Sequence, residues 1–196
     1  MLENKNKNKI ILDLCGGTGA WSEPYKKAGY DVRLITLPIF DVLTFKPPKN
    51  VYGILAAPPC TMFSRARSTG KSPRDFVDGM AIVQACLKII WSCRTTGSLE
   101  FWALENPMGL LRQFLGNPAW SFRGPEFGDD HVKFTDIWGY YNVPKMSLFV
   151  PGRIFNKKGY SNPKKPPEYA KFKLDRAAIR AITPTGFARA FFEANP

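Results

Sequence analysis

A cysteine at position 60 and a glutamate at position 105 are the side chains best placed to do chemistry. Cys60 follows two prolines at the end of the apolar run 52–57, and Glu105 follows the apolar run 101–104. Proline ends a strand's hydrogen-bond ladder and stiffens the backbone. Ligands of open α/β sheets bind at the carboxyl ends of strands, so we expect the thiol and the carboxyl on one sheet edge. A packed thiol and a simple strand-ending turn are the alternatives.

A glycine turn forms a second candidate site. The segment 15–19, CGGTG, lies between the apolar segment 10–14 and the segment 20–28, which has helical composition. Glycines let the backbone approach a ligand closely, although the pattern is neither GxGxxG nor a P-loop. Asp13, inside the apolar segment, is either a turn-stabilising acceptor or a ligand contact.

Further segments must position these two sites. We expect strands over 30–37 and in the turn-fed segment 127–138, and helices over 72–90, 109–115, 174–182 and 183–192. Pro73 is expected at the first position of the long helix. The closely spaced β-α-β steps predict an α/β fold with a doubly wound, mostly parallel sheet and helices on both faces. The last helix is expected to pack back on the side of the first strand.

Composition indicates a globular protein with a polyanionic partner. Of 196 residues, 44% are hydrophobic and 22% charged, and the net charge is +12. We expect one domain over 1–196, with a basic, irregular segment at about 146–173. No apolar run approaches the roughly 20 residues of a membrane span, and the polar start predicts a cytoplasmic protein. The charge favours nucleic acid as partner.

Two basic segments are candidates for phosphate contacts. Segment 64–71 follows the thiol directly, and its cations either contact phosphate, act on the reacting centre or lie in a solvated loop. Segment 146–167 has no acid and interleaves cations with aromatic side chains, a composition that suits phosphate contacts and base stacking. The expected DNA contacts are Ser64, Lys71, Lys133, Arg153, Lys157, Lys158, Lys164 and Lys165.

The cysteine and histidine pattern argues against a metal site. The four cysteines include no CxxC pair, and His131 is the one histidine of the chain. We therefore expect reduced thiols and no metal. His131 is a candidate base, although a hydrogen-bonding or packing role is the simpler interpretation.

Taken together, these segments resemble the DNA (cytosine-5)-methyltransferases. The turn LDLCGGTGAWS is similar to the family's DLFAGxGG motif and DVLTF to its DI…F motif. PPCTMFS resembles PPCQxFS, and ENPMGLL resembles ENVxGLL. FGDDHVKFT falls where the family has YGVPQxRxR, and RAITPTGFARAFFEANP resembles its C-terminal helix. The order and spacing agree over most of the chain.

The resemblance implies a Rossmann-like class I fold that binds S-adenosylmethionine and duplex DNA with a flipped-out cytosine. Cys60 would attack carbon six of the base, and Glu105 would hydrogen-bond the ring nitrogen and the amino group, aided by Arg65 or Arg67 near the thiolate. A buried Glu105 with a raised pKa could protonate the ring. The implied cofactor contacts are Asp13, Cys15, Gly16, Gly17, Gly19, Trp21, Asp41, Val42 and Pro58.

The chain departs from the family pattern in three places. The second strand ends in Ile35-Thr36-Leu37-Pro38 without an acid for the ribose. His131, Lys133 and Thr135 stand where the family has Gln, Arg and Arg. A target recognition domain is missing, as in reduced, phage-encoded members, which predicts relaxed or short sequence specificity. A catalytically silent DNA- or cofactor-binding module and an RNA cytosine methyltransferase are the alternatives. The sequence leaves the oligomeric state open, and a monomer is compatible with it.

Overall fold

The computed structural model describes residues 5–65, 67, 72–129, 133–147, 165, 167–170 and 173–196. Within these ranges the chain forms six strands and five α-helices, with 3₁₀ turns at Gly124–Phe127 and Pro167–Tyr169. The strands are β1 (Ile10–Leu14), β2 (Asp31–Ile35), β3 (Val51–Ala56), β4 (Phe101–Pro107), β5 (Trp120–Arg123) and β6 (Phe134–Tyr140). The helices are α1 (Glu23–Lys27), α2 (Phe76–Thr95), α3 (Arg112–Leu115), α4 (Arg176–Ala181) and α5 (Thr185–Ala194).

The strands form one mixed sheet in the order β2-β1-β3-β4-β6-β5. The neighbours β2, β1, β3 and β4 are parallel, whereas β6 is antiparallel to both β4 and β5. The predicted α/β class is confirmed. The sheet itself is mixed, because β6 returns between β4 and β5.

Alternating strand residues build an apolar core on each face of the sheet. On one face Val83 and Ile90 of α2 belong to a buried cluster with Ile54. On the other face Tyr25 of α1 and Phe191 of α5 belong to a cluster that contains neighbouring strand residues. Successive strand side chains point to opposite faces, so the nearly continuous apolar strands 10–14 and 51–56 supply both cores.

The C-terminal helix packs as expected. The Tyr25 hydroxyl of α1 donates to the Asn195 carbonyl at 2.8 Å. The Asn195 side chain accepts from the Asn142 backbone N–H at 2.7 Å and donates to the Asn142 carbonyl at 2.9 Å. These buried bonds fasten the end of α5 to the loop after β6.

Several element boundaries differ from the sequence predictions. β4 continues to Pro107, because Glu105 and Asn106 pair with Ile137 and Asp136 of the antiparallel β6. α2 begins at Phe76 rather than at Pro73, since the Asp75 side chain caps it by accepting from Asp78 N–H. β5 was not predicted.

The expectation about apolar runs also needs a correction. α2 has 20 residues and a mean hydropathy of 1.4 in its most apolar window, so by length and composition it could cross a membrane. In the structure its Val83, Cys86 and Ile90 are buried in the core on the sheet. Core helices pass the same test of length and composition, so the test does not decide membrane association.

Candidate active site

The loop that carries Cys60 leaves the sheet between β1 and β4. Ala57 N–H donates to the Leu14 carbonyl at 2.9 Å, so the loop begins beside the end of β1. The Asn106 amide, at the end of β4, donates to the Pro58 carbonyl at 2.9 Å. Asn106 is fully buried, and its side-chain oxygen Oδ1 has no hydrogen-bond partner within the described ranges. The thiol loop is thereby tied to both neighbouring strands.

Residues 60–64 form a turn with a fixed backbone. The Cys60 carbonyl accepts from Phe63 N–H at 3.0 Å and from Ser64 N–H at 2.8 Å. The Phe63 carbonyl accepts from Leu110 N–H at 2.9 Å. The Phe63 ring is fully buried, with ring centroids of Phe76 and Phe114 at 6.2 and 5.9 Å.

Three groups that are distant in the chain meet at this edge. The Lys133 ammonium lies 3.1 Å from Glu105 Oε1, and the two side chains are only 19% and 13% exposed. Both charges act on the thiol of Cys60. Burial raises the pKa of that thiol, Lys133 opposes the rise, Glu105 adds to it, and Arg180 of α4 lowers it. Cys60 and Glu105 therefore lie on the same sheet edge, as the two strand ends predicted, because the residue after Glu105 is bonded to the Cys60 loop through the Pro58 carbonyl.

The cations at the thiol are not the ones that the sequence indicated. Arg65 is exposed on the loop surface, and Arg67 donates to Ser72 Oγ at 2.9 Å and to Met62 Sδ at 2.7 Å. Lys133, expected as a DNA contact, instead pairs with Glu105. Arg180 was missed, because a cation within a helical segment carries no local sign of its tertiary neighbours.

The ion pair bears on the expected role of Glu105 at the base. Glu105 Oε1 accepts from the Lys133 ammonium at 3.1 Å. A carboxylate held in this way can accept hydrogen bonds from a base and balance positive charge on it.

The thiol's environment predicts a pH-dependent alkylation rate. Because burial raises the Cys60 pKa, alkylation by iodoacetamide should rise with pH through a midpoint above that of an ordinary cysteine. Lys133→Met removes the positive charge that lowers the Cys60 pKa and leaves the charge of Glu105, which raises that pKa, without its partner. The midpoint should therefore move to higher pH, and alkylation at pH 8 should slow by roughly threefold or more. Mass spectrometry of the Cys60 peptide measures the rate. The control is Lys27→Met on the exposed face of α1. Equal rates in Lys133→Met and wild-type protein would contradict this electrostatic account.

The glycine turn is shaped by a buried acid. Asp13 is fully buried, and its Oδ2 accepts from Ser22 Oγ at 2.6 Å. A Cβ atom at Gly16 would lie 2.2 Å from Asp13 Oδ1, so only glycine allows the turn to fold over this carboxylate. Gly17 has a φ of +56° and nothing within 4 Å of a built Cβ. Asp13 is therefore the turn-stabilising acceptor of the two alternatives, and the turn is open at Gly17.

Of the other expected cofactor contacts, Cys15 and Asp41 lie at or near the glycine turn, whereas Val42 lies in the core. Cys15 N–H donates to the Ile35 carbonyl at 2.8 Å. A hydrogen bond with the Cys86 thiol lowers the pKa of the Cys15 thiol, and this effect outweighs burial and the charges of Asp13 and Asp41, which raise that pKa. Asp41 therefore lies near the glycine turn. Val42 is buried in the core beside α2.

Trp21 belongs to the core in this structure. It is 1% exposed, and its ring packs against Phe187 and edge-on against Phe191 of α5, with centroids at 5.8 and 5.3 Å. Its indole N–H has no acceptor among the residues that the structure describes. The resemblance implied Trp21 as a cofactor contact, and in the structure its ring partners are core rings.

Asp13 predicts a specific dependence of stability on pH. Burial raises the pKa of Asp13 to about 6, with the Ser22 hydrogen bonds opposing the rise. The native state therefore binds a proton more tightly than the unfolded state, and the free energy of unfolding should fall as pH rises from about 4 to about 6 and then level off. Asp13→Asn removes this slope, so its stability relative to the wild-type protein should rise by about 2 kcal/mol between pH 4 and pH 7.

Urea unfolding of both proteins across that range measures the difference. Asp31→Asn, on the partly exposed edge strand β2, should keep the wild-type slope. Parallel curves for Asp13→Asn and wild-type protein would show that the buried carboxyl does not titrate as proposed.

The remaining predicted residues are placed as follows. Thr135 is buried in β6 opposite Pro107, and Lys165 donates to the Ala170 carbonyl at 3.0 Å. All four cysteines are free thiols. In the part of the chain that the structure describes, no group of three or more His, Cys, Asp or Glu side chains could hold a metal. The predictions for Lys71, His131, Arg153, Lys157, Lys158 and Lys164, and for most of segment 146–173, lie outside the described residues.

Comparison with known proteins gives no family assignment, because no protein-family model and no curated protein sequence matches the chain.

Proposed function

We propose that this protein transfers a methyl group from S-adenosylmethionine to carbon five of cytosine in DNA, through a covalent bond between Cys60 and carbon six. The observation that carries the proposal is the meeting of Cys60, Glu105 and Lys133 at one sheet edge. These residues come from three separate stretches of the chain. A nucleophile, a carboxylate and a cation are the groups that addition to a pyrimidine ring requires.

The thiol's role follows from the electronics of cytosine. Carbon five of the ring is a poor nucleophile, but addition of a thiolate to carbon six makes it enamine-like and divides one hard step into two. The Cys60 sulfur forms a bond to carbon six, and the ring electrons move toward carbon five. With carbon five methylated by the bound donor, that carbon would carry both a methyl group and a proton. Loss of this proton to a solvent base and departure of the Cys60 sulfur from carbon six would then restore the ring double bond. Burial raises the pKa of the Cys60 thiol, whereas Lys133 and Arg180 lower it and so favour the thiolate.

Glu105 and Lys133 act on the base from the same edge. The Glu105 carboxylate, held by Lys133 at 3.1 Å, can accept from the amino group of cytosine and from a protonated ring nitrogen. A preorganised charge of this kind stabilises the charge that develops on the ring during attack. Lys133 keeps the carboxylate in place and lowers the pKa of the thiol.

The glycine turn fits the methyl donor. A cofactor with a charged amino-acid tail needs backbone that it can approach closely and a nearby acid. Gly17 is open, Gly16 is packed against Asp13, and Asp41 lies near Cys15. When bound, S-adenosylmethionine supplies an electrophilic methyl group on a sulfonium. Because Ala57 N–H bonds to the Leu14 carbonyl, the glycine turn and the thiol loop leave the sheet side by side.

We assign the finer fold to the Rossmann-like class I methyltransferases. In its support, β1 to β5 run in one direction and β6 alone runs against them, between β4 and β5. Helices cover both faces. The net charge of +12 favours a polyanionic substrate, and the base must leave the duplex to reach a thiol on a loop, which takes a few kcal/mol.

The test is methyl incorporation by the purified protein. Duplex DNA and RNA of the same sequence are incubated separately with S-adenosylmethionine that carries a labelled methyl group, and the products are digested to nucleosides. We expect labelled 5-methylcytosine from the DNA. Labelled 5-methylcytosine from the RNA alone would move the substrate to RNA. Cofactor binding in calorimetry without incorporation into either nucleic acid would contradict the proposal and favour a silent binding module.

A further inference from the structure

The carbonyl groups of the thiol loop converge on one side chain, Arg74. Its Nη1 donates to the Met62 carbonyl at 2.6 Å, and its Nη2 donates to the Ser64 carbonyl at 2.9 Å. The two acceptors are two residues apart on the loop, and both follow Cys60 directly. A planar guanidinium presents its donors as a rigid fork and can hold two such acceptors at once.

Arg74 joins this loop to the most deeply anchored helix. The next residue, Asp75, caps α2, and α2 packs on the sheet through Val83, Cys86 and Ile90. The first turn of α2 also touches the loop, because a Cβ at Gly79 would lie 2.9 Å from Met62 Cβ. The position of the loop is thereby set from the helix.

Other backbone carbonyls of the thiol loop also accept hydrogen bonds. Pro58 accepts from Asn106, Cys60 from Phe63 and Ser64, and Phe63 from Leu110. The bonds within the turn fix its local shape. The bonds from Asn106 and Leu110 tie it to β4 and to the segment after β4. Arg74 supplies the contact from the opposite side, and its donors carry charge, which makes such hydrogen bonds about twice as strong as neutral ones.

We propose that Arg74 is a positioning residue that holds the Met62 and Ser64 carbonyls and thereby sets where the Cys60 thiol lies relative to Glu105. The proposal rests on the proposed function only for its effect on methyl transfer. Arg74 does not touch the reacting atoms, so it acts through the loop. Without this fork, the turn at 60–64 keeps its apolar contacts with α2 but loses the charged hydrogen bonds that fix the Met62 and Ser64 carbonyls, so the thiol becomes more exposed and less precisely positioned.

The experiment compares wild-type protein, Arg74→Ala, Arg74→Lys and the matched control Arg94→Ala, which changes an exposed arginine at the other end of α2. Hydrogen exchange reports on the amides of Phe63 and Ser64, which donate to the Cys60 carbonyl. We expect exchange at these amides to be about tenfold or more faster in Arg74→Ala, intermediate in Arg74→Lys and unchanged in Arg94→Ala. Alkylation of Cys60 at pH 8 should be faster in the same order, because exposure removes the burial that raises its pKa.

These two readouts need no methyl transfer, so they decide the role of Arg74 even if the proposed activity fails. Where methyl transfer is present, Arg74→Ala should lower kcat with little change in the KM for S-adenosylmethionine. Wild-type exchange and alkylation in Arg74→Ala would overturn the proposal. If Arg74→Ala does not fold, Arg74→Lys carries the test, and wild-type exchange in that variant overturns the two-carbonyl fork.

Discussion

Replacing Cys60 by alanine should abolish methyl transfer to DNA, with a loss on the order of 10³-fold or more, since the proposed mechanism forms the bond to carbon six through this sulfur. The protein should still fold. Cys60 is only partly buried, and the contacts that shape its loop are made by backbone atoms of residues 60–64 and by Asn106 and Arg74. Cofactor binding should also survive, because the glycine turn belongs to another segment.

A duplex with 5-fluorocytosine at the target position provides a direct readout of the covalent step. With S-adenosylmethionine present, carbon five would carry both the methyl group and the fluorine and so have no proton to lose, and the adduct with the thiol should persist through denaturation. We expect a denaturation-resistant protein–DNA complex with wild-type protein and with Cys93→Ala, whose sulfur is buried in α2, and none with Cys60→Ala. A complex of normal yield in Cys60→Ala would place the nucleophile elsewhere and end the proposed mechanism.

Replacing Glu105 by glutamine should lower kcat by roughly 10²- to 10³-fold. Glutamine keeps the shape of the side chain and one acceptor, but it cannot balance positive charge on the ring or pair with Lys133. The same change removes a charge that raises the Cys60 pKa. Alkylation of Cys60 at pH 8 should therefore become faster while methyl transfer becomes slower.

Opposite directions for the two rates distinguish a carboxylate that acts on the base from one that only tunes the thiol. Methyl transfer that rises in parallel with alkylation would contradict a role at the base. Glu23→Gln, on the exposed face of α1, is the control and should change neither rate. Circular dichroism of each variant checks that the fold is kept. This control is needed because the strand that carries Glu105 is paired on both sides, so its loss would disturb the sheet.

Local composition predicted the frame on which the site is built. The apolar runs at 10–14, 52–57 and 101–104 correspond to the adjacent strands β1, β3 and β4, because continuous apolar segments of this length are buried on both faces. The prolines after β3 placed Cys60 on a loop. The glycines of 16–19 predicted the turn, and Gly16 is required by the carboxylate beneath it.

Sequence alone determined that Cys60 and Glu105 would share a sheet edge, because the carboxyl ends of parallel strands lie together whatever the rest of the chain does. Only the tertiary structure decided which cations they meet. Lys133 reaches Glu105 because β6 returns antiparallel beside β4 and extends that strand to Pro107. Arg180 of α4 acts on the thiol by its charge, and Arg74, just before α2, bonds to the thiol loop. Strand order and helix packing arise from long-range burial of apolar surface, and a single charged residue in a helical segment carries no information about the neighbours that this burial will give it.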